Sequence, residues 1–180
     1  MNAWHDNAQV ELLREAGMAE ADITHSRRVA GIAVGLGSLV RVAVDLSLVA
    51  LGALFHDLGK VRTDGILHGV EGARLGRHLG LPDAVLDIME KHVRAGVPLE
   101  QTANYELPRR DFSLTSLEEK LVIYADKLAD IVEEPGLVAS VGEARLRFGR
   151  ILEERTDLAK DEATLARYLA CAAEVEALLR

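Results

Sequence analysis

One cysteine in 180 residues, Cys171, leaves this chain without an internal disulfide and without a zinc–thiolate site. It reads as a small apolar residue of the last helix. Aromatic residues are almost as scarce, at one Trp, three Tyr and three Phe. That is too few for the stacking platforms on which single-stranded nucleic acids lie. Basic side chains are outnumbered, 21 Lys and Arg against 29 Asp and Glu, giving a net charge of −8 and a pI near 5.3. A chain so charged does not grip a polyanionic backbone nonspecifically, so no nucleic-acid polymer is expected as partner. The longest stretch without a charged residue, Val29–Val40, is too short to span a bilayer. Asp6, Glu11, Arg14 and Glu15 interrupt the segment where a secretory leader would need an apolar run. A cytoplasmic protein without membrane contacts is expected.

What is abundant points to helices. The chain has 28 Leu and 25 Ala, 49% apolar residues and only four Pro, so long stretches are free of helix breakers. An all-α fold follows, and 180 residues suit one domain. A first helix is predicted over 7–16, stopped by Gly17. Asp22 reads as the N-cap of a second helix reaching about Leu39, with His25, Val29, Ile32 and Leu36 on one face. Asp45 caps a third helix that is apolar nearly all round and therefore central to the core. It ends in His56-Asp57-Leu58-Gly59-Lys60, where Gly59 reads as the break. Helices are further predicted over 68–79, from Pro82 to His92, from the capping box Ser116-Leu117-Glu118-Glu119 to Glu133, and over 136–154 and 161–179. Between them, 93–115 shows no period and contains Gly96, Pro98 and Pro108, as a lid or binding loop would, or a surface excursion with a short helical turn.

Five of the six histidines fall between positions 25 and 92. His25 and His56 lie on or at the end of core-facing helices, where an unpaired imidazole is costly. Asp126 lies on the apolar side of its helix, where a carboxylate needs a cation or several donors. Imidazoles and carboxylates converging on one point form a ligand set for Zn, Fe or Mn. His78 and His5 read as surface residues. Gly35-Leu36-Gly37 lacks the third glycine and the preceding strand of a dinucleotide fingerprint. There is also no Gly-rich phosphate loop, no Ser-centred elbow and no His-Glu-x-x-His.

The order His25, His56-Asp57, Asp126 resembles the HD-domain metal-dependent phosphohydrolases, whose pattern is a His, a His-Asp pair and a distant Asp, all on helices. His56-Asp57-Leu58-Gly59-Lys60 is similar to the His-Asp-Ile-Gly-Lys variant of that family, with Leu for Ile. His68-Gly69-Val70-Glu71-Gly72-Ala73 resembles the His-x-x-x-Gly-Ala segment of the same branch, and His92 matches its further histidine. The similarity extends to small HDIG-type proteins and, more distantly, to dinucleoside-tetraphosphate hydrolases. It covers about 22–134, so the chain divides into a motif-bearing core and C-terminal helices over 135–180.

The resemblance implies a compact helical bundle that holds two divalent transition metals. His25, His56, Asp57 and Asp126 would take one ion and His68 and His92 the second, with Asp57 bridging. A metal-activated hydroxide would then cleave a phosphomonoester, phosphodiester or phosphoanhydride of a nucleotide or small metabolite. Asp57 and Lys60 are the catalytic candidates; Lys60, Arg28 and Arg94 are the candidates for contacting substrate phosphate. Two rivals remain on the same scaffold, a di-iron oxygenase and a non-catalytic nucleotide-sensing regulator. The sequence leaves homo-oligomer formation open.

Overall fold

The computed structural model describes residues 7–180, so His5 lies outside the described residues. Among the described residues 71% are helical and none forms a strand; a single antiparallel bridge joins Val40 to Leu179. The helices are α1 (Asn7–Glu15), α2 (Glu20–Gly37), α3 (Leu46–Phe55), α4 (His68–His78), α5 (Asp83–Lys91), α6 (Leu117–Glu133), α7 (Val141–Glu154), α8 (Thr156–Ala159) and α9 (Glu162–Leu178). The all-α expectation holds.

Helix α3 is the central element, as its apolar composition requires. Val49, Ala50, Ala53, Leu54 and Phe55 are all buried, and α3 packs against α2, α5 and α6. Helices α2 and α6 pair closely beside it through Val29, Ala30, Ala33, Leu121, Ala125 and Leu128. The Asp45 carboxylate caps α3 by accepting from the backbone N–H groups of Ser47 and Leu48, at 2.9 and 3.0 Å. The capping box at Ser116 forms in full. Its Glu119 also takes the ammonium of Lys91 at 2.6 Å, which ties the end of α5 to the start of α6.

Several local expectations need correction. Asp22 is not the N-cap of α2: the helix begins earlier, with Ala19 in the cap position, and Asp22 lies in its first turn. There it meets the positive end of the helix dipole without capping. Gly59 does not end α3 by adopting a left-handed conformation. It sits inside a 3-10 turn, Leu58–Val61, and a Cβ there would lie 1.8 Å from the carbonyl oxygen of His68. Gly59 is required by the close approach of α4, which brings His68 beside the His56-Asp57 pair. For 93–115, the reading as an excursion with helical turns holds over that of an open loop. The segment contains 3-10 turns at Val93–Ala95 and Leu99–Tyr105, and buries Val97, Thr102 and Phe112. The seventh helix starts only after Ser140, whose hydroxyl accepts from the Glu143 N–H at 3.2 Å. The short α8 follows it.

Candidate metal centre

Two backbone carbonyls at helix ends and one in the turn before α4 orient three imidazoles. The last carbonyls of a helix lack intrahelical partners. His56 caps α3 and donates from Nδ1 to the Ala53 carbonyl at 2.7 Å; His92 caps α5 and donates from Nδ1 to Met89 at 2.7 Å. His68, the first residue of α4, donates from Nδ1 to Gly65 at 2.8 Å. His25 achieves the same through a side chain, its Nδ1 donating to Glu133 at 2.8 Å. All four rings thereby present Nε2 to one place, in the arrangement by which metal-binding histidines are oriented from behind.

Two carboxylates face those nitrogens. Asp126 Oδ1 lies 3.0 Å from His25 Nε2 and 3.5 Å from His56 Nε2. Asp57 divides its oxygens: Oδ2 is 3.3 Å from His56, and Oδ1 is 3.3 Å from His68 and 3.5 Å from His92. The nitrogens of His68 and His92 face each other at 2.8 Å. His56 Nε2 is fully buried and has no hydrogen-bond partner among the described residues.

With protons committed at Nδ1, the Nε2 atoms turn lone pairs toward carboxylate oxygens and toward one another. That arrangement calls for positive charge between them, carried by protons or by cations. The carboxylates supply the pull. Burial opposes charge on His25, but Asp126 outweighs it and raises His25 to about 9. His56 is raised against its own burial by Asp57 and Asp126. His92 is pushed down by burial. Burial would raise the carboxyls of Asp57 and Asp126, yet the surrounding imidazoles hold both well below the usual carboxylate range. Three donor groups lie close enough to share an ion: His25 with His56 and Asp57, Asp57 with His68 and His92, and His25 with Asp126 and Asp130. The orphaned Nε2 and the opposed imidazole nitrogens fit a metal better than a protein-only network.

The cluster forms the floor of a cavity of about 430 Å³. The volume is within the range of small-molecule sites. Five of the six ligand candidates line it, and His56 is buried behind them. Lys60 lines the cavity and pairs with Asp57 Oδ2 at 2.6 Å, and less closely with Asp22 at 3.5 Å. Arg94 lines it too, ion-paired to Asp161 at 2.9 Å. Arg28 does not: it is exposed and faces Glu133 at 3.1 Å. His78 is exposed, and Cys171 is buried with its thiol pushed up to about 12, mainly by burial. Five further residues at the site were not foreseen: Glu133 behind His25, and Lys127, Asp130, Lys160 and Tyr168 around the cavity. Asp130 stands four residues after Asp126 on the same helical face, a readable spacing. Lys160 and Tyr168 carry no such local signal.

The HD domain family model matches residues 22–131. The chain belongs to the HD domain family. It is 46% identical over 85 residues to an uncharacterized protein of Methanocaldococcus jannaschii, covering 47% of this chain and 50% of that one. It is 35% identical over 119 residues to a tRNA (cytidine(56)-2'-O)-methyltransferase of Thermoplasma volcanium, covering 66% of this chain and 35% of that one. This HD protein thus spans a third to a half of the curated relatives it matches. Among solved structures, the HD domain of the L. monocytogenes phosphodiesterase PgpH, in complex with cyclic-di-AMP, superposes with a TM-score of 0.55 at 15% identity. The match covers 86% of this chain and 90% of that one, and speaks to the fold.

Proposed function

We propose that this HD domain is a metal-dependent phosphohydrolase acting on a phosphate ester or anhydride of a nucleotide or small metabolite. The observation that carries the reading is the division of Asp57. One oxygen faces the His56 side of the cluster and the other faces His68 and His92. A carboxylate shared in this way is what two neighbouring divalent ions require. His25, His56, Asp57 and Asp126 would hold the first, and Asp57, His68 and His92 the second. The His/Asp donor set suits Fe, Mn or Zn.

When bound, such ions neutralise phosphate oxygens and lower the pKa of coordinated water. The protein's own part is positioning. Backbone carbonyls and Glu133 fix the ring orientations. Lys60 steadies Asp57 from the cavity side and keeps its ammonium charged: burial works against it, but Asp57 raises its pKa well above the ordinary lysine value. Its remaining protons face the space a phosphate would fill, and Arg94 offers a second cation at the wall. The likeness to a phosphodiesterase HD domain supports the reaction class, and the cyclic-di-AMP in that structure supports a nucleotide substrate.

The test is elemental analysis of the purified protein together with phosphate release from a panel of monoesters, diesters and nucleotide anhydrides. Two transition-metal ions per chain and hydrolysis of at least one class are expected. Oxygen consumption without phosphate release would replace this reading with an oxygenase.

A further inference from the structure

Four Lys or Arg side chains line the cavity: Lys60, Arg94, Lys127 and Lys160. Three already have an anionic partner. Lys60 holds Asp57, Arg94 holds Asp161, and Lys127 holds Asp130 at 2.6 Å. Lys160 forms no ion pair and no side-chain hydrogen bond among the described residues, and it lies outside the segment that the HD family model matches. It is the free cation of the site.

Its backbone is unusual as well. Lys160 has φ 72° and ψ −54°, and the Asp161 N–H donates to the Ala159 carbonyl at 3.0 Å. This is a γ-turn of the rare, strained kind. Glycine would adopt it at less cost. The turn is held from both sides. Lys160 N–H closes α8 on the Thr156 carbonyl at 2.8 Å. The Asp161 carboxylate caps α9 through the Thr164 N–H at 2.7 Å, and also accepts from Arg94 at 2.9 Å and from the Tyr105 hydroxyl at 3.1 Å. Lys160 is exposed, so water solvates its charge; what sets it apart is the strained turn that holds it at the rim of a cavity lined by the His/Asp cluster.

We propose that Lys160 grips a second phosphate of the substrate, so that the cavity selects a linked diphosphate over an isolated phosphomonoester. The inference rests on the phosphohydrolase reading and deepens it. Lys60 belongs to the cluster itself, touching Asp57, and serves the phosphate held there. Lys160 touches none of the six ligand candidates and comes from another segment of the chain. Of the four cationic side chains that line the cavity, three lie within 3 Å of a carboxylate and Lys160 of none among the described residues, so a second phosphate finds an uncommitted cation there.

The experiment titrates the metal-loaded protein with inorganic pyrophosphate and with inorganic phosphate by calorimetry, checking metal content after each run. Wild type binds pyrophosphate more tightly. Lys160→Gly weakens pyrophosphate about tenfold, the size of one charge-assisted hydrogen bond, and leaves phosphate within about twofold. The same substitution relieves the γ-turn and raises Tm by about 2–4 °C. Lys160→Ala shows the same selectivity without that gain, and Lys160→Arg keeps most of the pyrophosphate affinity. If wild type binds both anions but Lys160→Gly weakens neither, or both alike, Lys160 is not the second-phosphate contact and the hydrolase reading stands. If metal-loaded wild type binds neither anion, both fall.

Discussion

The two sides of the cavity are built by different means. On the floor, between His25 and Asp126, three imidazoles are aimed by backbone carbonyls at the ends of α3 and α5 and just before α4. The far wall, from α8 and α9, is held by side chains: Asp161 joins Arg94 to Tyr105, and Arg167 reaches the Arg94 carbonyl at 2.8 Å and Gln101 at 2.6 Å. A carbonyl at a helix end cannot be lost by substitution, whereas a side-chain bond can. The floor is therefore suited to fixed chemistry and the wall to changeable selectivity. Substitutions at four positions probe the two sides.

Asp57→Ala has the largest expected effect. It removes the oxygen facing His56 and the one facing His68 and His92 together. Both ions should be lost and phosphate release abolished. Wild-type metal content by elemental analysis would refute the assignment of Asp57 to both sites.

Glu133→Gln comes next. Glu133 is the one support of the four imidazoles that a side chain provides, and it lies just past the family-matched segment. Gln keeps an accepting oxygen but loses the charge that makes the ring a stronger ligand, so the effect should fall toward the low end of the roughly 10–100-fold typical of losing such a partner. Chelator competition should show this loss for the first ion, with the ion at His68 and His92 retained. Equal loss of both would mean that Glu133 supports the fold and not His25.

Glu119→Gln tests the joint between α5 and α6, and with it the placement of His92 beside Lys91. Burial would raise the Glu119 carboxyl, but Lys91 and the N–H groups of Thr115 and Ser116 hold it below the ordinary 4.5. A lowered folded pKa contributes stability above the unfolded value, and loses it as pH falls through the folded value. The variant should be less stable than wild type by about 2 kcal/mol near neutral pH. The gap should close below the ordinary carboxylate range. Urea denaturation at a series of pH values measures it; a gap independent of pH would mean that packing, not charge, joins the two helices.

The difference between floor and wall also explains what could be read in the sequence. His56, Asp57, His68 and His92 sit at or near helix ends marked by local signals: the apolar run of α3, Gly59, and Pro82 before α5. Asp126 stands out as a carboxylate on an apolar face. These are short-range features, so the all-α fold was legible, whereas the gathering of His68 and His92 with the other four was implied by the resemblance to the HD-domain phosphohydrolases. Lys160 and Tyr168 enter the cavity through tertiary packing of α8 and α9, which no periodicity encodes. Arg28 misled because helical spacing from His25 gives proximity along α2 but not direction: it turns outward to Glu133. Gly59 misled because a glycine required by a close approach looks, in sequence, like one required by a turn.

Asp161→Ala has the smallest expected effect and bears on the wall alone. The substitution removes the N-cap of α9 and the partner of Arg94 and Tyr105. Loss of an N-cap costs about 1 kcal/mol. The ion pair with Arg94 is partly exposed and adds little to that. Asp161→Asn keeps a capping oxygen and should recover most of the loss. Neither variant should change metal content, because Asp161 contacts no residue of the His/Asp cluster. Both should blunt the preference for pyrophosphate over phosphate, since the turn that presents Lys160 and the arginine beside it would be less firmly held. Denaturation, elemental analysis and anion titration on the same preparations decide the matter. Loss of metal in Asp161→Asn would show that floor and wall are one cooperative unit, and the division between fixed chemistry and changeable selectivity would have to be abandoned.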